Sequence, residues 1–220
     1  MSDIILLQNV RLSFPHLVEP HAAGNSPTAQ KKYSADFILA ADNPALKQFK
    51  EKYAQMAMGK WGDNAQNVMA MIDQDRKLRC YGSGNDKVDK KTFKPYQGYE
   101  NMFYLSANNA NPPQMIQADG TPVDAGNTMG YQQLARTLYG GCYVNAAIKP
   151  WLQDNQHGRA IRCDLVAVQF AADGDAFGEP KADVTSMFGS VAGGTTSSSS
   201  AADMPDSPFQ GKPDMPSFLG

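Results

Sequence analysis

The sequence predicts a mainly β domain with short inserted α-helices, followed by a disordered C-terminal tail. Over residues 1–182, runs of β-branched and aromatic residues recur between clusters of turn residues, as in a small barrel or sandwich. In contrast, 17 of the 38 residues from 183 to 220 are Ser, Gly or Pro, and such a segment buries too little apolar surface to offset its conformational entropy. Periodicity does not distinguish a barrel from a sandwich, so both architectures stay open at this point.

The first two strands are predicted near the N-terminus. Residues 4–14 are rich in branched side chains, and the run ends at Pro15, which predicts the end of the strand. A polar stretch over residues 20–32 predicts a long loop. Residues 33–41 then alternate between apolar and polar side chains, which predicts a second strand.

Three short helices are predicted between the strands. Asn43 and Pro44 predict a helix start, with Asn43 as the N-cap, and Gly59 predicts its end. A second short helix is predicted over residues 58–72, with Asp63 as a possible cap. The third prediction rests on helical spacing of Tyr131, Leu134, Ala135 and Leu138.

The remaining predicted elements are strands, which favours an antiparallel barrel or sandwich over a parallel βαβ sheet. Asp119-Gly120 predicts a tight turn after one of them. These strands are expected over residues 77–81, 102–107, 114–118, 143–151 and 160–170.

No motif for catalysis, a cofactor or a metal was found. The three cysteines and three histidines lack metal-ligand spacing, and neither a nucleotide-binding glycine motif nor a G-x-S-x-G serine is present. Scattered carboxylates could in principle assemble a two-metal nuclease site, although their spacing favours solvated or turn carboxylates. Those carboxylates are Asp36, Asp73, Asp75, Glu100 and Asp119.

The sequence also predicts a cytoplasmic protein without a membrane partner. The apolar run over residues 4–7 is too short for a signal peptide, and no run approaches the roughly 18 apolar residues of a spanning helix. A sparse, odd set of cysteines fits a reducing compartment.

One segment combines positive charge with aromatic rings. Seven of the twenty Lys and Arg residues lie between residues 76 and 100, more than an even distribution would place there. Cations pair with phosphates, and aromatic faces stack on bases, so this combination suits single-stranded nucleic acid; a solvated basic loop beside core aromatics is the alternative. The candidate DNA-binding residues are Lys77, Arg79, Lys87, Lys90, Lys91, Phe93, Lys94, Tyr96, Tyr99 and Tyr104.

A second candidate surface lies on the last two predicted strands. Its candidate DNA-binding residues are Lys149, Trp151, Arg159 and Arg162, which flank one turn. Trp151 could equally be a core residue, and Trp61 has the same ambiguity.

The tail carries the acidity of the chain. Residues 183–220 hold four Asp and one Lys, a net charge of −3, whereas residues 1–182 have a net charge of +1. Two similar motifs, DMPDSPF and DMPSFL, predict a docking peptide displayed twice, although a merely solubilising tail is the alternative. The candidate partner-binding residues are Asp206, Phe209, Asp214, Phe218 and Leu219.

Several strand-and-turn segments together resemble a family of tailed-phage single-stranded DNA-binding proteins, once catalogued as a domain of unknown function. The resemblance spans residues 4–178 and implies an OB-fold β-barrel with inserted helices and a mobile acidic tail. It is carried by VRLSFPHLVEP (10–20), KYSADFILA (32–40), QMIQADGTPV (114–123), YGGCYVNAAIKPW (139–151) and CDLVAVQF with DGDAFG (163–178). Acidic tails of this class often end on an aromatic residue, whereas Leu219 and Gly220 follow Phe218 here.

The resulting hypothesis is a non-enzymatic protein that coats single-stranded DNA in phage replication, recombination or repair. Its OB-fold domain would span residues 1–182, and its tail, residues 183–220, would recruit replication or recombination proteins after leaving the DNA groove. Two alternatives stay open, a phage head-associated structural protein and a metal-dependent nuclease. Whether the protein is a monomer or a homodimer also stays open.

Overall fold

The structure, a computed structural model, describes residues 3–22, 30–124 and 126–178. Its strands join in one sheet, in the order β3-β4-β2-β1-β6-β7-β5. The strands are β1 (Ile5–Ala22), β2 (Lys31–Leu39), β3 (Tyr81–Ser83), β4 (Phe103–Asn109), β5 (Gln114–Ile116), β6 (Tyr143–Asn155) and β7 (Gly158–Ala172). The α-helices are α1 (Pro44–Trp61), α2 (Ala65–Gln74) and α3 (Thr128–Thr137).

Five of these strands curl into a barrel of the OB type. β1 pairs antiparallel with both β2 and β6, β2 pairs with β4, and β6 pairs with β7. β4 then returns to β7, where the Asn109 side-chain amide donates to the Leu165 carbonyl at 3.3 Å. Leu7, Leu12 and Leu17 of β1 point into the barrel and are at most 1% exposed. The mainly β prediction is therefore confirmed, and the sheet is a barrel.

β1 is longer than predicted because it continues through Pro15 to Ala22. A register shift separates Ser13 from His16, and Phe14 within it has a φ of +45°. Proline lacks an N–H group but is tolerated at such a bulge, where no ladder hydrogen bond is required of it. The prediction that the strand ends at Pro15 was wrong, as was the prediction that the loop begins at residue 20.

The start of α1 follows the local sequence, whereas its end does not. The Asn43 side chain accepts a hydrogen bond from the Ala45 amide at 2.9 Å, which confirms the predicted N-cap. The helix passes Gly59 and ends at Trp61, followed by the C-cap Gly62, whose φ is +53°. α2 starts only after a 3₁₀ turn that contains Asp63, so the predicted range of residues 58–72 was too early.

The predicted strand over residues 77–81 is mostly a turn. Only Tyr81 belongs to β3, and the Asp75 side chain accepts from the Lys77 amide at 2.8 Å to form the turn. Tyr81 packs edge-on against Phe49 and Tyr53 of α1, with ring centroids 5.4 and 6.0 Å apart. These contacts attach the helices to the barrel.

The other predicted elements are present, with shifted bounds. β4, β5, β6, β7 and α3 overlap the ranges expected from the sequence. All three cysteines, Cys80, Cys142 and Cys163, are buried. Within the described ranges, no helix has the length and apolar character needed to cross a membrane. The expected domain boundary at residue 182 lies outside the described residues.

Candidate nucleic-acid interface

An open groove of about 870 Å³ runs across one face of the barrel. Its walls come from β1, β2, β4, β6 and β7, and from the base of the segment between β3 and β4. Three aromatic side chains line it, together with two lysines, an arginine and two histidines. The residues that line this groove include Phe14, Tyr96, Trp151, Lys32, Arg162, His16 and His21.

One wall of the groove continues into a hairpin-like projection, residues 87–96, called the finger below. Val88 forms a β-bridge with Pro95, and the Asp89 amide donates to the Lys94 carbonyl at 2.9 Å. The Phe93 ring at the tip is 81% exposed, and its backbone is left-handed, with a φ of +55°. The finger tip also carries three exposed lysines, Lys90, Lys91 and Lys94.

The opposite wall is formed by β6 and β7. Trp151 and Arg162 are cross-strand neighbours on these strands. The Trp151 indole is 38% exposed and donates to Asp164 at 2.8 Å, so Trp151 is a surface residue of the groove and not a core residue. The Arg162 guanidinium donates to the Lys77 carbonyl at 2.8 Å and to the Gln153 side chain at 3.3 Å, which fixes its position.

Sequence reasoning missed four groove residues: Phe14, His16, His21 and Lys32. The His16 and His21 rings stack at 4.5 Å, with 13° between their planes. Burial lowers the pKa of His16, and the neighbouring His21 lowers it further. His16, His21 and Lys32 lie beyond the predicted end of the first strand at Pro15, and His21 and Lys32 also lie in the stretch predicted as a loop. The signal that could have found them is the apolar pair Leu17-Val18, which continues the strand pattern past Pro15.

A buried charged cluster forms the floor of the groove. Asp36 is 6% exposed, and it accepts hydrogen bonds from the Tyr99 hydroxyl at 2.8 Å and the Ser106 hydroxyl at 2.5 Å. The Lys87 ammonium forms an ion pair with the same carboxylate. The expectation of a solvated Asp36 was therefore wrong, because three donors compensate its removal from water.

The aromatic residues expected to stack on bases divide into two groups. Tyr99 is fully buried and Tyr104 is 6% exposed, so neither offers a face to a base in this structure. They lie under the groove, with ring centroids 6.1 Å apart, and for them the core alternative was correct. Tyr96 is half-buried at the groove wall, where it meets Phe14 edge-on at 5.0 Å.

The predicted cations are similarly divided. Lys87 and Arg162 line the groove, whereas Lys77, Arg79, Lys149 and Arg159 do not. The Arg79 guanidinium lies 5.8 Å from the centre of the Tyr81 ring, and Arg159 is paired with Asp154 at 3.4 Å. Among the described residues, no group of three or more His, Cys, Asp or Glu side chains could hold a metal ion.

The tail residues proposed to bind partners, Asp206, Phe209, Asp214, Phe218 and Leu219, lie outside the described residues.

Comparisons with known proteins agree with this fold. A family model described as Enterobacter phage Enc34, ssDNA-binding protein, matches residues 3–196. The chain is 32% identical over 175 residues to putative protein p50 of Acyrthosiphon pisum secondary endosymbiont phage 1, covering 79% of this chain and 85% of that protein.

Two solved structures of the bacteriophage Enc34 single-stranded DNA-binding protein are also similar. The one in complex with ssDNA has a TM-score of 0.61 at 24% identity and covers 80% of this chain and 90% of that chain. A C-terminal truncation of the same protein has a TM-score of 0.59 at 24% identity, with coverage of 80% and 89%. The extent of the family match, over all of the described residues, confirms the resemblance seen in the sequence. The chain therefore belongs to the family of the Enterobacter phage Enc34 single-stranded DNA-binding protein.

Proposed function

We propose that this protein binds single-stranded DNA along the groove, without sequence preference and without catalysis of its own. The observation that carries the proposal is the convergence of partly exposed rings and cations on one barrel face. Phe14 is 41% exposed and Trp151 is 38% exposed, and Lys32 and Arg162 line the same groove. Stacking on rings and pairing with phosphates are the two interactions that sequence-independent binding requires.

The groove chemistry favours one orientation of the strand. The floor holds the Lys87–Asp36 ion pair, whose charges compensate each other, so it offers a phosphate no free cation. The rings of Tyr96 and Trp151 stand at the walls and can stack on bases. The bases would therefore point into the groove, and the phosphates would lie outward, near Lys32 and Arg162.

The finger would extend this path beyond the groove. Its exposed lysines can pair with successive phosphates, and the Phe93 ring can stack on one further base. The cations of the groove and the finger must supply the attraction for DNA locally. The net charge of +1 over residues 1–182 gives little long-range attraction.

The family and the groove favour binding over nuclease chemistry. Of the five carboxylates considered for a metal site, only Asp36 lines the groove, and it is saturated by Lys87, Tyr99 and Ser106. A two-metal site needs several free carboxylates together. Coating of this kind would serve phage DNA replication, recombination or repair in the cytoplasm of an infected bacterium.

The tail would regulate this binding. With a net charge of −3, residues 183–220 can imitate a stretch of phosphates and compete for the groove. DNA would displace the tail, and its two Phe-containing motifs would then recruit replication or recombination proteins.

The test is fluorescence anisotropy of a labelled oligo-dT, titrated with protein at several salt concentrations, with duplex as competitor. We expect salt-sensitive binding that duplex does not compete. Replacing Lys32 by Ala should lower the slope of log K against log salt by about 0.7, the value for one phosphate contact on a single strand. Lys47→Ala is the matched control, because this α1 lysine is 82% exposed and lies outside the groove. Absence of binding at low salt would overturn the proposal.

A further inference from the structure

We propose that Lys87 is a latch that holds the finger against the barrel, and that it does not contact DNA phosphates. Its partner in the latch is Asp36. The inference rests on the proposed function, since it assigns a positioning role within that binding site. It also reverses the expectation from sequence, which counted Lys87 among the phosphate contacts.

The surroundings of Lys87 are those of a structural cation. Its side chain is only 23% exposed, and its ammonium is paired with the Asp36 carboxylate. The ammonium also faces the rings of Tyr104, Phe14 and Tyr99, with centroids 4.6, 5.4 and 5.6 Å away. Carboxylate and ring faces together replace the water that an exposed lysine would keep. Burial lowers the pKa of Lys87 to about 8, so the ammonium stays charged at neutral pH.

The carboxylate is held as firmly as the ammonium. Asp36 belongs to β2 and its donor Ser106 belongs to β4, whereas its donor Tyr99 lies between the finger and β4. Lys87 is the donor that comes from the finger. The ion pair is therefore a connection between two parts of the chain 51 residues apart.

The finger depends on its base for attachment. The Tyr96 amide donates to the Lys87 carbonyl at 3.1 Å, so the two arms are joined at this point. Beyond it, the hydrogen bonds of the finger are internal, such as Phe93 amide to Asp89 carbonyl at 2.8 Å. The Lys87–Asp36 pair is the ion pair among the contacts that join the base of the finger to the barrel, the others being the ring contacts of Lys87 and the packing of Tyr96 against Phe14 and Tyr99.

Two consequences separate a latch from a phosphate contact. The charge of Lys87 is already compensated by Asp36, so DNA binding displaces no counterion from it. Moreover, removing Asp36 has opposite effects in the two cases. A phosphate contact would strengthen when its competing carboxylate disappears, whereas a latch would open and binding would weaken.

The experiment uses the full chain and four variants: Lys87→Met, Lys87→Arg, Asp36→Asn and the control Lys91→Met. Met keeps the aliphatic stem of Lys87 without its charge, and Arg keeps the charge. Lys91 is an exposed finger lysine without an acidic partner among the described ion pairs. Oligo-dT affinity is measured against salt, and amide hydrogen exchange is measured for residues 88–95 in the absence of DNA.

We expect Lys87→Met to weaken oligo-dT binding without changing the salt slope, Asp36→Asn to weaken it as well, and both variants to speed exchange in the finger. Lys87→Arg should restore part of both properties. Lys91→Met should lower the slope by about 0.7 and leave exchange unchanged. A lower slope for Lys87→Met, tighter binding for Asp36→Asn, or unchanged finger exchange in both would overturn the latch.

The exchange measurement separates this inference from the proposed function. If the wild-type protein failed to bind oligo-dT, the proposed function would be wrong. Hydrogen exchange of the finger in Lys87→Met would still show whether Lys87 holds the finger against the barrel. Thermal melting identifies any variant that has lost the barrel. If Asp36→Asn unfolds, the salt slope and the finger exchange of Lys87→Met still test the latch.

Discussion

Trp151 stands in the groove with its indole fixed by the hydrogen bond to Asp164, so its ring is held in place before any base arrives. Stacking on a fixed ring costs little conformational entropy on binding. We expect Trp151→Ala to weaken oligo-dT binding by about 1–3 kcal/mol, the usual range for one stacked base.

Fluorescence provides the control for this residue. Trp61 and Trp151 are the two tryptophans of the chain, and Trp61 lies outside the groove, where it donates to Asp154. DNA should therefore quench the emission of Trp61→Phe and leave that of Trp151→Phe nearly unchanged. Equal quenching in both variants would show that Trp151 is not in contact with the bases.

The His16–His21 pair makes the groove sensitive to pH. Burial, followed by the charge of His21, lowers the pKa of His16 in the free protein. The neutral form is thus favoured on folding, so this contribution to stability is present above about pH 6.5 and is lost as pH falls below that value. Phosphates would oppose this shift, because they stabilise the protonated ring of His16.

We therefore expect oligo-dT affinity to rise as pH falls from 7.5 to 5.5, since binding takes up protons. The double variant His16→Gln/His21→Gln should bind with a flatter pH profile, measured by anisotropy at constant salt. Oligo-dT is the suitable probe because thymine does not titrate in this range. If the oligo-dT affinity of the wild-type protein did not change with pH, the bound phosphates would not lie near these rings.

At the scale of an element, the finger contains one residue in an unfavourable backbone conformation, which a glycine at that position would adopt more easily. A left-handed backbone disfavours a residue with a Cβ by about 1–2 kcal/mol, and Phe93 adopts it with its ring in solvent. Glycine would remove that cost. An exposed ring held in this conformation points to a role in binding.

The variant Phe93→Gly should keep or raise the melting temperature while weakening oligo-dT binding. The control is Met58→Ala, which removes another exposed apolar side chain, on α1, and should leave DNA affinity unchanged. A fall in melting temperature, or unchanged affinity for Phe93→Gly, would show that the ring serves the fold.

Local sequence predicted the elements whose determinants are local. The cap of α1 is one example, because Asn43 bonds to an amide only two residues away. The floor of the groove is the opposite case. Asp36 is buried because its donors, Lys87, Tyr99 and Ser106, lie 51, 63 and 70 residues further along the chain. No periodicity within β2 contains that information.

The bulge in β1 was missed for a related reason. Pro15 normally ends a strand, and it is tolerated here only because the register against β2 shifts at that point. The groove residues His16 and His21 follow Pro15 on β1, so a strand that ends at Pro15 does not include them. Basic and aromatic composition located the finger correctly, but it could not separate the exposed Phe93 from the buried Tyr99.

At the scale of the whole molecule, charge is divided between a nearly neutral part and an acidic tail. If the tail occupies the groove without DNA, removing it removes a competitor. We expect deletion of residues 183–220 to tighten oligo-dT binding, most strongly at low salt, where the competing charge is least screened.

The control for this prediction is a tail in which the four Asp residues, Asp183, Asp203, Asp206 and Asp214, are replaced by Asn. It keeps the length and the Phe motifs but lacks the acidity, so it should bind DNA as the deletion does. Unchanged affinity in both proteins would end the competition model and leave recruitment of partners as the role of the tail.

The burial of all three cysteines makes the protein convenient for labelling. Thiolates react with maleimide dyes, and burial raises the pKa of Cys142 to about 11, which leaves almost no thiolate at neutral pH. A cysteine introduced at Lys90, on the exposed finger tip, would then be the one reactive thiol of the described chain. A dye attached there would change its environment whenever a strand passes the finger, so coating and release could be followed in real time on unlabelled DNA.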